Sequence, residues 1–81
     1  VPADRVHHLR TDLLAVAMRE LLYSLDAIDH ALERAAILQA DGVDWHAANV
    51  AAVRGVDAWP EHRRRHVPRA AVVDQVVAGA A

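Results

Sequence analysis

Seven apolar residues, Leu14, Met18, Leu21, Leu25, Ile28, Leu32 and Ala35, follow one another at alternating steps of four and three. At about 3.6 residues per turn, that repeat holds all seven on one stripe of a helix. Residues 4–40 contain neither Gly nor Pro and are rich in Leu, Ala, Arg and Glu, so intrinsic propensity agrees with the period. The spacing predicts one long helix over residues 4–40, capped by Asp4 and stopped at Asp41-Gly42. Arg19, Asp26, His30 and Glu33 fall on its opposite face.

A second apolar row, Leu9, Leu13 and Val16, is rotated well away from this seam, and Leu22 widens the seam itself. A helix that is apolar on more than one side contacts more than one neighbour. The rest of the chain offers modest cover. Asp44 is the expected N-cap of a second helix over residues 45–56, with Trp45, Ala48, Ala52 and Val56 on its apolar face and Val53 beside them. A four- or five-residue turn joins the two, which predicts an antiparallel helical hairpin. Pro60 suits the first turn of a short helix over 60–66, and Val67, preceding Pro68, ends it. From Pro68 to about Val77 the valines fit a last helix or a strand. Helix is the expectation, since a lone strand has no pairing partner.

The fold expected is therefore all-α, a single small domain over residues 1–81: a long N-terminal helix in a helical hairpin with one or two short C-terminal helices. A chain of 81 residues buries only roughly 60% of its unfolded surface. With no Phe, one Tyr, two Trp and many Ala and Val, its core is poor in large side chains. Small scaffolds supplement such cores with disulfides, metal or oligomerisation. The absence of Cys removes disulfides and thiolate metal sites. Oligomerisation is the supplement left, with an interface expected along Leu9, Leu13 and Val16 and the adjoining Leu14, Met18, Leu21 and Leu25.

The net charge of −2 creates no general attraction to nucleic acid or an anionic membrane. The charge is uneven, with five arginines against nine carboxylates in residues 1–60 and four against two in 61–81. Arg63, Arg64, Arg65 and Arg69 are thus the candidates for phosphate contact, in a loosely helix-turn-helix arrangement of residues 45–66. A recognition helix needs polar side chains at base edges, and this one is barely two turns long. His62 and His66 share the i,i+4 spacing of zinc ligands. They lack the Glu after the first His that metalloproteases use, and three arginines lie between them. Asp26, Asp29, His30 and Glu33 read as a solvated face with an Asp26–His30 contact.

Thr11, Tyr23 and Ser24 are the only hydroxyls, all expected on the long helix without a Gly-rich loop nearby. The chain reads as a non-enzyme without a cofactor. No apolar run approaches the roughly 20 residues of a membrane span, and no basic-then-apolar leader opens the chain. A cytoplasmic location is expected. The function expected is a protein-interaction module, self-associating or docking as a small helical subunit on a larger assembly. The alternative is a small helix-turn-helix-like DNA-binding protein using residues 62–69.

Overall fold

A computed structural model of the protein describes residues 10–66 and 77–79. These residues are mostly helical, and among them there is no β-strand. Four helices follow in order: α1 (Thr11–Glu20), α2 (Leu25–Ala40), α3 (Trp45–Asp57) and the single turn α4 (Glu61–Arg64). Residues 77–79 are also helical; the rest of the expected last segment lies outside the described residues.

The single helix expected over residues 4–40 is corrected: its described part is two helices with a corner at residues 21–24, and the expected cap Asp4 lies outside the described residues. The corner has a specific backbone geometry. The Leu22 amide donates to the Arg19 carbonyl at 3.1 Å and the Tyr23 amide to the Met18 carbonyl at 3.0 Å. Leu22 adopts the left-handed conformation, φ 64°. This is the pattern that closes many helices, in which the left-handed residue is usually Gly. The next corner repeats it with the expected residue. The Gly42 amide donates to Gln39 and the Val43 amide to Leu38, with Gly42 at φ 92°. A leucine in this conformation costs about 1 kcal/mol or more, and the corner persists because surrounding contacts outweigh that cost. Ser24 then opens α2, its side chain accepting from the Ala27 amide at 3.1 Å.

The helix expected over 60–66 is corrected to the single turn α4, which ends at Arg64 because Arg65 is extended and its backbone pairs with Tyr23; the remaining boundaries follow the sequence. Asp44 caps α3 through the Ala47 amide, α2 ends against Asp41-Gly42, and Pro60 precedes α4. The core contains Leu14 and Met18 from α1, Tyr23 from the corner, Ala27, Ile28, Ala31 and Ala35 from α2, and Ala48, Ala52, Val53 and Val56 from α3. Alanines repeat every four residues on α2 and again on α3. Such small side chains let two helix backbones approach closely, and among the described helices the most extensive packing is α2 against α3. The corner also divides the predicted seam. Leu14, Met18, Ile28 and Ala35 are buried and Leu21 and Leu32 half-buried, but Leu25 is 70% exposed.

Candidate interaction surface

With Leu14 and Met18 turned into the core, about 100° per residue places Leu13 and Val16 on the outward side of α1. They are 49% and 51% exposed. Leu9, the third member of that row, lies outside the described residues. Leu22 and Leu25 add two more exposed leucines at the corner. Of the seven interface candidates, then, Leu13, Val16 and Leu25 face solvent, Leu21 is half covered, and Leu14 and Met18 are enclosed by the chain itself.

The arginines read from the sequence as phosphate contacts have partners within the chain. Arg63 lies 3.8 Å from the centroid of the Trp59 ring and pairs its Nε with Asp26 at 3.2 Å. Arg64 donates to the Asp57 carbonyl at 2.5 Å, while its Nε is buried without a hydrogen bond. Arg65 donates to the Leu21 carbonyl at 3.0 Å and sits 5.0 Å from the Tyr23 ring. Arg69 lies outside the described residues. The backbone around these arginines closes on the corner too. Tyr23 and Arg65 form an isolated antiparallel bridge; the Ser24 amide donates to the Arg64 carbonyl at 2.7 Å and the His66 amide to the Leu22 carbonyl at 2.8 Å. Residues 63–66 therefore act as a clasp over the α1–α2 corner, satisfying backbone groups that the helix break leaves open.

Tyr23 is the centre of this clasp. It is 2% exposed and donates to the Asp57 carboxylate at 2.5 Å. Burial, and then the hydrogen bond to Asp57, push its pKa up; the negative charge of Asp57 adds to the effect, and Arg65 and Arg64 oppose it. The other two hydroxyls are likewise bonded. Ser24 donates to the Arg63 carbonyl at 2.7 Å, and Thr11 donates to the fully buried Asn49 at 3.0 Å while accepting from Gln39. The Thr11–Asn49–Gln39 chain ties the start of α1 to α3 and the end of α2. Above it lies a hollow lined by Arg10, Thr11, Asp12, Gln39 and Trp45.

His62 and His66 do not share a helix face, because α4 ends at Arg64 and Arg65 is already extended, φ −97°, ψ 143°. Among the described residues no group of three or more potential metal ligands converges. Asp26 is drawn to Arg63, and His30 packs beside Trp59 with centroids 5.1 Å apart. No described helix is long and apolar enough to cross a membrane. No family model, curated protein or solved structure matches the chain.

The inward use of Arg63–Arg65 was not legible from the sequence. Their charge and adjacency are local features, whereas Asp26 and Leu21 lie 37 and 44 residues away. The exposed row on α1 was legible, because it follows from helical period alone.

Proposed function

We propose that the protein is a non-catalytic helical interaction module that self-associates, its helical hairpin being completed by a second copy. The observation that supports this reading is the outward side of α1. Leu13 and Val16 are about half exposed on a helix whose inward side already fills the core. Covering them removes apolar area from water at about 25 cal/mol per Å², and an identical chain related by a two-fold axis is the commonest way to do so. Docking on a larger assembly would use the same row. DNA contact through Arg63–Arg65 draws less support, since their donors serve the chain's own carbonyls and Asp26.

Leu13→Glu tests the reading. A charge buried unpaired in an apolar interface costs several kcal/mol, whereas at an exposed site of a monomer it is nearly neutral. Light scattering at micromolar concentration should give a multiple of the chain mass for the native protein and one chain mass for the variant. One chain mass for both, with matching cooperative melts, contradicts self-association.

A further inference from the structure

We infer that α1 is an exchangeable element: a second copy of this chain seats its α1 where the chain's own α1 now lies, and residues 11–40 then run as one continuous helix. This rests on the reading that the chain self-associates and adds a second contact: the exchange covers Leu22 and Leu25 at the corner and leaves Leu13 and Val16 on the outward side of α1.

Four observations point to it. First, the apolar repeat passes through the corner in unbroken register, and residues 11–40 contain no Gly or Pro. The local sequence therefore suits a straight helix, and the corner is imposed on it. Second, the corner holds Leu22 at φ 64°, where the parallel corner at the end of α2 has Gly42. Short connections under strain favour exchange between protomers. Third, the corner leaves Leu22 52% and Leu25 70% exposed. Fourth, the contacts that hold it come from residues 63–66, through the carbonyls of Leu21 and Leu22 and the amide of Ser24. In a straight helix the same carbonyls accept from the Leu25 and Asp26 amides, so releasing the clasp leaves them satisfied.

Straightening alone would strip Leu14 and Met18 of their cover, so it needs an occupant for the vacated place. The element that fits is α1 itself, whose Thr11 reaches both Asn49 on α3 and Gln39 on α2. Reciprocal exchange preserves these contacts between chains, as in other domain-swapped dimers. It also brings the two corner segments together at the two-fold axis, where the exposed Leu22 and Leu25 of each copy cover one another.

The distance between the ends of α1 and α2 reads this out. Asp12 and Ala40 are both exposed and the chain has no Cys, so an Asp12→Cys, Ala40→Cys variant takes two spin labels. With the corner closed the labels are near neighbours, because Gln39 touches Thr11. On one helix 28 residues span about 42 Å. Labelled chain is diluted into excess unlabelled chain, so that pulsed dipolar spectroscopy reports the intrachain distance in the dimer fraction. The expected result is a population near 42 Å, reduced about fivefold or more by Leu22→Gly, which relieves the left-handed conformation and weakens the straight helix. A dimer with only the short distance overturns the exchange and leaves association through Leu13 and Val16 standing. A monomer with only the short distance at every concentration overturns both. A long distance unchanged in Leu22→Gly, with both proteins melting cooperatively, contradicts the role of the corner.

Discussion

Tyr23 is where the corner, the end of α3 and the arginine clasp meet, and it is the residue whose chemistry reports their integrity. Its hydroxyl is buried against Asp57, so the folded chain holds its proton more tightly than the unfolded chain does. With the folded pKa raised above the unfolded value near 10, the stabilisation is fully present below pH 10. It is lost as pH rises from there toward the folded value. The expected slope is up to about 1.4 kcal/mol of stability per pH unit above pH 10. The chain has one Tyr and no Lys, so few other groups titrate in that range. Urea melts between pH 8 and pH 11 should show the loss, and Tyr23→Phe should flatten it. An equal alkaline slope in the variant would assign the effect elsewhere. None of this was visible in the sequence, where Tyr23 was one hydroxyl in a helical run. Asp57, its partner, is 34 residues away.

Helix boundaries set by local chemistry were readable. Asp44 before Trp45, Gly42 after Ala40 and Pro60 before Glu61 each mark an end for a stated reason, and the apolar face of α3 follows from its period. The α1–α2 corner was not, because period and propensity both continue through it and the residue in the left-handed position is leucine. The one local signal was Ser24 with Asp26 two places on, an N-cap and an acidic first turn inside an apparently continuous helix. Ser24 has two tasks, accepting from the Ala27 amide and donating to the Arg63 carbonyl. Ser24→Ala removes both and should cost about 1–2 kcal/mol. Ser24→Asp keeps the cap but cannot donate to the carbonyl, so its loss should fall between native and Ala. Equal stability of all three proteins in denaturant titrations would show that the corner does not depend on this hydroxyl.

At the scale of the whole molecule, the core is short of large side chains. Among the described residues, five of the eleven apolar core residues are alanine, while five large apolar side chains on α1, α2 and their corner, Leu13, Val16, Leu22, Leu25 and Ile37, are exposed by about half or more. The composition already pointed to this imbalance, and the helical period placed part of it on the outward side of α1. The corner added Leu22 and Leu25, which no periodic reading could expose. The central claim is that folding and association are linked, and the dependence of the melting temperature on protein concentration measures that linkage directly. If a second copy completes the fold, each tenfold dilution should lower the melting temperature by about 3–5 °C. A melting temperature unchanged from 100 μM to 1 μM, with one chain mass throughout, would contradict the account.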